Sequence, residues 1–544
     1  MKAFALLLVL QVASFPLWTD AAAFLEGVTS PEELDSETFD RYEYLAAHPL
    51  DLNSASLREL MRSALFDEYR AACIDEYRRR CGPIASYTEL SAVDGIGEAM
   101  ANALRPFTRL DVVSASSTDR LCADAALRSS LRSSYSSPDP SGTAALKGGL
   151  KYGRYEFDAA FNSSAPQRRA GVCLSSDKVY LGDFNARFGR GLGLWSGTSL
   201  GSLRKASAYC RSASGISPCR SWSGAYALRG AAFETDAGPF VLSAFAGTQA
   251  DSPGLLAGAN ARFLSRRGTY GLTYCHRGGL KQEGVCALLA ADAHVTLGHF
   301  GFWGELALSG APAFVAGVSW YPAYGVTLAG AVRNIPSLYC GSPGGIYTAY
   351  SSGADERGAS LALDAGCFSI TSDAALRPES GKYKHRAVAS YKPVFDLKGC
   401  GIGPELRCAL NWSEAGLKQE YRGVLSASFA QGLAKASLRA DFVTLAKPSG
   451  ERPEGRSLSA TAELKTRLTL ILSGGVFATD GYDGRVYIYE RDIPGSFNVP
   501  AYYGTGWHCS LYAAWKCLYI RAGYARLWEK GVREDVKLGL KIRI

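Results

Sequence analysis

The chain has 544 residues, a formal net charge of +8 and abundant glycine (59), tyrosine (29) and phenylalanine (23) at a mean hydropathy of only -0.04. This length exceeds what a single hydrophobic core normally fills, so more than one domain is expected. The positive charge is spread along the chain without a basic tail, so charge alone does not indicate a nucleic-acid partner. Glycine and aromatic residues at neutral hydropathy are typical of many alternating strands joined by tight turns.

The first residues have the features of a secretory signal. Lys2 supplies the charged start, an apolar run follows, and Ala21, Ala22 and Ala23 offer small residues for cleavage. The apolar run is shorter than the roughly 20 residues that a membrane-spanning helix needs. We therefore do not expect the chain to be a helical membrane protein. We therefore predict a signal peptide over residues 1–23 and export of the remaining chain.

Residues 35–112 are predicted to form a small helical domain. Apolar residues recur there at spacings of three and four, as in Leu57 and Leu60. Ser56 and Glu59 have the spacing of a capping box, in which two side chains satisfy free N–H groups at the start of a helix. A helix is therefore expected to begin after Ser56.

Residues 125–544, after a predicted linker over 113–124, are predicted to form a transmembrane β-barrel. Segments of about ten residues alternate in polarity between turn residues, as in 434–442 and 458–465. Such a segment is long enough for a tilted strand to cross a bilayer, and weak alternation repeated many times is typical of outer-membrane barrels. The predicted fold is therefore multi-domain, an α domain followed by an all-β antiparallel barrel of roughly 20 to 26 strands.

Two details of the strand pattern give local predictions. Within 150–158 the alternation slips at Gly153, where we expect a β-bulge. The last stretch, 536–544, alternates up to the carboxyl end, which suits a closed barrel because an open edge in lipid leaves backbone groups unpaired.

Cysteine and histidine are the candidate residues for disulfides and metal binding. Fourteen cysteines in an exported chain can form disulfides, although the connectivity stays open. Three pairs are close enough in sequence to bridge hairpins: Cys210 with Cys219, Cys400 with Cys408, and Cys509 with Cys517. The cysteines and the six histidines form no CxxC pair or Cys/His cluster, so we expect neither a metal nor a cofactor.

The segment 93–101 carries the most specific short motif. Gly95 and Gly97 permit a tight turn and leave N–H groups uncovered at the start of a helix, where the helix dipole favours an anion. The segment resembles the hairpin of the helix-hairpin-helix family, whose usual ligand is a DNA phosphate, so binding is expected to be independent of sequence and sensitive to salt. The predicted DNA-contacting residues are Gly95, Ile96, Gly97 and Glu98, with Arg105 and Arg109 as electrostatic help.

The flanking sequence resembles a tandem of such hairpins. LNSASLREL at 52–60 and YRRRCGPIASYTEL at 77–90 are similar to the opening and the link of tandem modules, as in the periplasmic DNA receptor of bacterial competence. The first hairpin, 63–67, holds no glycine, and the arginines of the domain are matched by acidic residues. A domain that docks another protein or plugs the barrel without binding DNA therefore stays open as an alternative.

Two blocks within the barrel resemble large helix-hairpin-helix barrel proteins of Bacteroidetes-type bacteria. They are LGDFNARFGRGLGLWSG at 181–197 and the YERD and PAYYGTGWH segments within 489–508. The first block lacks the GKS or GKT ending of a phosphate loop, and we interpret it as a turn or an inward-folded loop. Glu490 and Asp492 are interpreted as strand residues that line the lumen. The resemblance implies the outer membrane, with the N-terminal domain in the periplasm.

We therefore expect a non-enzymatic outer-membrane barrel whose periplasmic domain binds the backbone of double-stranded DNA, in DNA uptake or transport. The expected partners are outer-membrane lipid, double-stranded DNA and other envelope proteins. A third hypothesis, a lipid hydrolase, requires a serine with a histidine and an acid at the membrane face. The chain has no recognisable nucleophile motif, and we predict no catalytic residue.

Overall fold

The computed structural model describes residues 18–28, 34, 36–111 and 121–543. Within the last range it leaves out 135–136, 164–168, 177, 197–204, 207–208, 210–212, 223–226, 250–251, 266, 279–285, 324, 342–345, 351–353, 394, 398–399, 495, 497–498 and 529. Residues 1–17 of the predicted signal peptide and most of the predicted linker lie outside the described residues. None of the described helices has the length and apolarity that a membrane crossing requires.

The N-terminal part of the chain folds into a helical domain. In the described residues it consists of α1 (Trp18–Leu25), α2 (Ser36–Ala47), β1 (Leu50–Asp51), α3 (Leu57–Arg62), α4 (Glu68–Cys81), α5 (Tyr87–Ser91), α6 (Gly97–Leu104) and β2 (Thr108–Arg109). The apolar residues at helical spacing meet in one core, where Leu52, Leu60, Ile74 and Leu104 are fully buried. The parallel pair of β1 and β2 joins the two ends of the segment 50–109.

The predicted capping box at the start of α3 is confirmed. The Ser56 hydroxyl accepts the backbone N–H of Glu59, and the Glu59 carboxylate accepts the backbone N–H of Ser56 at 2.8 Å. This reciprocal pair satisfies two N–H groups that a helix start otherwise leaves free.

Helix α1 packs into the core of the helical domain. Ala21, Ala22 and Ala23 are buried in it, and Tyr42 of α2 donates a hydrogen bond to Glu26 at 3.1 Å. Cleavage after residue 23, which stays a prediction, would remove these alanines from the core.

The second domain is a closed antiparallel barrel of 24 strands, within the predicted range, and the predicted fold class is confirmed. Its first strand, β3, begins ahead of the predicted boundary and pairs with the last strand, β30, to close the wall. The wall consists of β3 (Leu121–Ser134), β4 (Ser137–Tyr152), β5 (Tyr155–Asn162), β6 (Arg169–Ser175), β7 (Val179–Arg187), β9 (Leu228–Ala237), β10 (Phe240–Gln249), β11 (Ser252–Ser265), β12 (Gly268–Gly278), β13 (Cys286–Leu297), β14 (Phe300–Ser309), β15 (Ala311–Ala323), β16 (Val326–Ile335), β17 (Glu356–Ala365), β18 (Phe368–Leu376), β19 (Tyr383–Tyr391), β21 (Cys400–Ser413), β22 (Gly416–Gln431), β23 (Ala434–Ala446), β24 (Glu454–Lys465), β25 (Leu468–Thr479), β28 (Thr505–Trp515), β29 (Leu518–Leu527) and β30 (Gly531–Arg543).

Four short strands supplement the wall. β8 (Gly215–Pro218) pairs with β7, and β20 (Phe395–Leu397) pairs with β21. β26 (Val486–Tyr487) and β27 (Ala501–Tyr502) pair with each other in the connection between β25 and β28. That connection therefore has a structure of its own.

The two faces of the wall alternate along each strand. In β10, Phe240 and Leu242 are exposed on the outer face, while Val241 and Ser243 are buried on the inner face. Exposed leucine, phenylalanine and valine recur in this way around the barrel. An apolar outer face and a mixed polar inner face are what a barrel in lipid requires.

The two ends of the barrel also differ. At one end, here called the short-turn end, strands are joined by tight turns such as 298–299 and 432–433, and the wall begins and ends there with β3 and β30. At the other, the long-loop end, the connections include 336–355 and 480–504. Short turns and long loops on opposite ends are characteristic of outer-membrane barrels.

The predicted β-bulge at Gly153 was wrong. Gly153 has a φ of 57° and lies in the hairpin turn between β4 and β5, where Tyr152 pairs with Tyr155. The slip in alternation marks the end of one strand and the start of the next, since a two-residue turn with left-handed backbone favours glycine.

Two of the three sequence-adjacent cysteine pairs, Cys400 with Cys408 and Cys509 with Cys517, do not bridge hairpins. Cys400 and Cys408 lie on the same strand, β21, roughly 26 Å apart at 3.3 Å per residue. Cys509 lies opposite Tyr524 in the wall, whereas Cys517 is in the turn that follows β28. These four thiols are free, and Cys210 lies outside the described residues.

Candidate functional site in the barrel mouth

The second hairpin of the helical domain has the predicted tight turn. Gly95 has a φ of 79° and Gly97 a φ of 74°, and α6 starts directly at Gly97. Left-handed backbone of this kind is accessible to glycine without steric strain. Ile96 between the two glycines is buried in the core of the domain.

The first hairpin forms without a glycine. Ala64 adopts a φ of 57°, a conformation that costs a residue with a Cβ about 1–2 kcal/mol. The next helix, α4, begins at the cap residue Asp67, whose side chain accepts the N–H of Arg70 at 2.8 Å. The tandem arrangement of two hairpins is thus present. In the first hairpin, a strained alanine stands where glycine would adopt the conformation without strain.

The helical domain lies in the mouth of the barrel at the short-turn end. The ring of Tyr69 stacks on the ring of Tyr321, near the end of β15, with centroids 4.2 Å apart. The Tyr321 hydroxyl donates to Asp67 at 3.2 Å. A Cβ added at Gly97 would lie 3.1 Å from the Cα of Gly325 in the following turn. The second hairpin therefore rests directly on the rim of the barrel.

A buried carboxylate of α4 connects the domain to the lumen. Glu68 accepts hydrogen bonds from Arg190 at 2.6 Å and from the Thr269 hydroxyl at 2.9 Å. Burial raises the pKa of the Glu68 carboxyl, but the positive charge of Arg190 and the nearby His294 outweigh burial and lower that pKa to about 2. Glu68 is therefore charged and held by groups of the barrel.

Helix α3 makes a second polar contact with the wall. Arg58 donates to the buried Glu234 of β9 at 2.6 Å. Arg62, one turn further along, donates to the Tyr180 hydroxyl at 2.9 Å and to the Ile216 carbonyl at 2.6 Å. Both arginines of this helix face are thus used for contact with the barrel.

Helix α2 makes the third contact. Glu37 forms an ion pair with Arg187 and accepts a hydrogen bond from Asn185 at 3.2 Å. Asp40 accepts the backbone N–H of Trp222 at 3.0 Å. Burial raises the pKa of the Asp40 carboxyl to about 6. Helices α2, α3 and α4 therefore all contact the inner side of the barrel.

The glycine-rich block after β7 is an inward-folded loop, as predicted. The inward-facing carboxylate of Glu305 accepts backbone N–H groups of Arg190 at 2.7 Å, Leu192 at 2.9 Å and Gly193 at 3.0 Å. A Cβ at Gly189 would lie only 2.7 Å from the Glu305 carboxyl, so this close approach requires glycine. The loop in turn presents the Arg190 side chain to the helical domain.

Glu490 and Asp492 of the second sequence block also line the lumen, as predicted, but their assignment to a strand was wrong. Glu490 lies in the folded-in connection between β25 and β28, 3.1 Å from the His508 imidazole and in an ion pair with Arg521. Asp492 pairs instead with Lys537. The two acids have separate partners, which opposes a shared acid–base role.

Of the predicted DNA-contacting residues of the turn, Gly97 lies against the barrel. The Gly95 carbonyl accepts a hydrogen bond from Arg70 at 2.7 Å, and Ile96 and Gly97 are buried. Glu98 is exposed. The structure brings these residues together in one turn. The barrel rim covers this turn at Gly97.

The predicted electrostatic residues lie elsewhere on the domain. Arg105 is exposed, donates to Asn102 at 3.1 Å and lies over the ring of Tyr87. Arg109 forms an ion pair with Asp111 at 3.2 Å. Exposed arginines of α4 are also paired with acids, namely Arg79 with Asp75 and Arg80 with Glu76. Such pairing reduces the positive charge that a DNA backbone would meet.

Sequence reasoning missed the residues that connect the two domains. Glu68 and Tyr69 open α4, and Glu305 is the single charged residue of β14. A carboxylate at an inward position of such a strand is a usable signal, because burying it requires several donors. Its partners, however, come from distant parts of the chain.

One serine–histidine pair lies on the outer face of the wall. Ser372 of β18 and His385 of β19 are 2.9 Å apart, and His385 also stacks on Trp412. No carboxylate is among the described contacts of His385. The pair therefore lacks the third group that orients the base in a catalytic triad.

Comparison with protein-family models gives a match in the first domain. The helix-hairpin-helix motif matches residues 46–109. No curated protein matches the sequence.

Several solved β-barrel structures are similar to this chain. A P pilus tip assembly intermediate of E. coli, PapC-PapD-PapK-PapG, has a TM-score of 0.48 at 12% identity over 80% of this chain, which spans only 63% of that one. The P pilus usher PapC pore has a TM-score of 0.39 at 11% identity, covering 78% of this chain and 100% of that one. The siderophore receptor PirA of Pseudomonas aeruginosa has 0.36 at 11% identity, covering 78% and 80%. These likenesses carry no functional information.

Proposed function

We propose that the protein is a non-enzymatic outer-membrane channel in which the helical domain is a plug. The observation that carries this proposal is the buried contact between Glu68 of the domain and Arg190 of the inward loop. The side chains of both residues are at most 7% exposed, so the contact lies inside the barrel. A domain held there obstructs the lumen at the short-turn end.

The orientation of the barrel in the membrane follows from the lengths of its turns and loops. Bacterial outer-membrane barrels have short periplasmic turns and longer extracellular loops. The short-turn end, which holds the helical domain, is therefore assigned to the periplasm, where other envelope proteins can reach the domain. Lipid contacts the outer face of the wall. Membership in the Bacteroidetes-type barrel family is part of the same proposal.

The nature of the contacts favours a releasable plug over a fixed core. The helical domain has an apolar core of its own around Leu60 and Ile74. Across the interface, by contrast, ion pairs and hydrogen bonds predominate, such as those of Arg58 and Glu68. Water can replace polar contacts more readily than it can replace apolar packing, so the domain can leave without unfolding.

Channel conductance tests the proposal. Replacing Arg190→Ala leaves Glu68 buried without its cation, which typically costs about 3–5 kcal/mol and shifts the plug toward release. We expect the wild type to be mostly closed in planar bilayers and Arg190→Ala to open at least tenfold more often. The matched control Arg154→Ala removes an exposed arginine in the turn after β4 and should stay closed. A wild type that is fully open, or a variant that is equally closed, would contradict the plug.

DNA binding is the second candidate function. The left-handed Gly95 and Gly97 at the start of α6, within the segment that matches the helix-hairpin-helix motif, favour it. Gly97 lies against Gly325, so the barrel rim blocks access to this turn. Duplex DNA can therefore bind the turn only after the helical domain has left the barrel.

Fluorescence anisotropy of labelled duplex DNA separates the two candidates. The full-length wild type and Arg190→Ala are titrated in detergent at low and high salt. Salt-sensitive binding by Arg190→Ala that the wild type lacks would support DNA handling by the released domain. No binding by either protein at low salt would leave the plug without a DNA role.

The hydrolase hypothesis is not part of our proposal. Ser372 and His385 meet at the membrane face, but a third group is missing from the described contacts. We expect no turnover of phospholipid by the purified protein. Turnover that disappears in Ser372→Ala would overturn the non-enzymatic assignment.

A further inference from the structure

Two cysteines from distant parts of the chain meet at the long-loop end of the barrel. Cys286 is the first residue of β13, on the inner face shared with the buried Leu288, and Cys340 lies in the connection after β16. The Cys286 sulfur lies 3.5 Å from the Cys340 carbonyl oxygen, so the two cysteines are in contact. Neither pairing nor proximity was indicated by their spacing in the sequence.

Neighbouring groups hold both cysteines in place. The Cys340 N–H donates to the Ser309 carbonyl at 3.0 Å, and the Cys286 thiol lies 2.9 Å from the Ser309 hydroxyl. Next to Cys340, the hydroxyl of the buried Tyr339 donates to the Leu192 carbonyl of the inward loop at 3.1 Å. The connection 336–341 therefore packs against β14 and the inward loop without a disulfide.

We propose that Cys286 and Cys340 form a disulfide that fastens the connection 336–341 over the inward loop. The two thiols lose two protons and two electrons, an S–S bond forms, and a protein disulfide of an envelope oxidoreductase is reduced to a dithiol. The inference rests on the proposed envelope location, because disulfides persist in oxidising compartments. The cross-link would keep Tyr339 against Leu192 and so support the loop that holds Arg190.

The competing thiol is Cys275. It lies on β12, opposite Leu288 of β13, and is only 5% exposed. Cys340, by contrast, is exposed and open to an oxidant. Cys367, which is exposed in the turn after β17 at the other end of the barrel, is a matched control.

Peptide mapping of the full-length protein tests the pairing. Protein purified from membranes is alkylated without reduction and analysed by mass spectrometry. We expect one linked pair of peptides containing Cys286 and Cys340, while Cys367 is alkylated. In Cys340→Ser, Cys286 should become alkylated, whereas Cys367→Ser should keep the link. Alkylation of both Cys286 and Cys340, or a link between Cys275 and Cys286, would overturn the pairing.

A second arm separates the disulfide from the proposed location. The folded protein in detergent is reduced and then exposed to oxidised glutathione, and the same link is expected to form again. If cell fractionation finds the protein outside the envelope, the proposed function fails, and this arm still decides whether Cys286 and Cys340 pair. Re-oxidation that leaves both thiols free would overturn the inference wherever the protein resides.

Discussion

The outer and inner faces of the barrel wall place different demands on adjacent residues. Leu306 of β14 is 50% exposed on the outer face, while its neighbour Glu305 is 4% exposed and binds three backbone N–H groups. The outer face needs only apolar character, since lipid makes no directional contacts. The inner face needs particular partners, because a buried charge without them is costly. Function is therefore expected to depend on the inner face.

The largest loss of stability is expected from replacing Glu305. Replacement Glu305→Ala leaves the N–H groups of Arg190, Leu192 and Gly193 without their acceptor, at about 1–3 kcal/mol for each buried group left unpaired. We expect the free energy of unfolding in denaturant titrations to fall by about 3–5 kcal/mol and the inward loop to become accessible to protease. A loss below about 1 kcal/mol would contradict the role of Glu305 as the anchor of this loop.

A smaller loss of stability is expected from a charge on the outer face of the wall. A charge at the lipid-facing side of a barrel costs roughly 2–4 kcal/mol near the bilayer centre. Leu306→Arg is therefore expected to lower the free energy of unfolding in lipid vesicles by about that amount, whereas Leu306→Ser should have a smaller effect. Equal tolerance of arginine and serine would mean that this face does not contact lipid.

The smallest effect, and the most selective, is expected at two glycines of the helical domain. Gly82 and Gly97 both have positive φ, 90° and 74°, so alanine strains the backbone at each by about 1–3 kcal/mol. A Cβ at Gly82 meets nothing within 4 Å, while a Cβ at Gly97 meets the backbone of Gly325. Gly97→Ala should therefore open the channel in planar bilayers, and Gly82→Ala should leave it closed. Equal conductance of the two variants would contradict contact between the hairpin and the rim.

The same contrast explains how much could be predicted from the sequence. Period-two alternation predicted the barrel and its approximate strand number, and helical spacing with a capping box predicted the helical domain. These features depend on local patterns. The turn at Gly95 and Gly97 was also local. Its orientation toward the barrel was not, because Tyr321 and Gly325 are more than 200 residues away in the chain.

The errors have the same origin. Gly153 was assigned to a bulge because a hairpin turn and a bulge both interrupt alternation at one glycine. Glu490 was assigned to a strand because a folded-in connection can carry a strand-like pattern without joining the wall. The contacts of Glu68 and Glu305 depend on which loops fold into the lumen, and that depends on packing of the whole barrel.

A photo-crosslinker placed in the membrane-embedded protein tests the central claim, that the helical domain occupies the mouth of the barrel. Tyr321 and its neighbour Trp320 face opposite sides of the wall, at 5% and 41% exposure. With benzoylphenylalanine at position 321, we predict a cross-link to the peptide that contains Tyr69, and at position 320 a cross-link to lipid. Absence of the domain from the products at position 321, with the barrel intact, would contradict the plug.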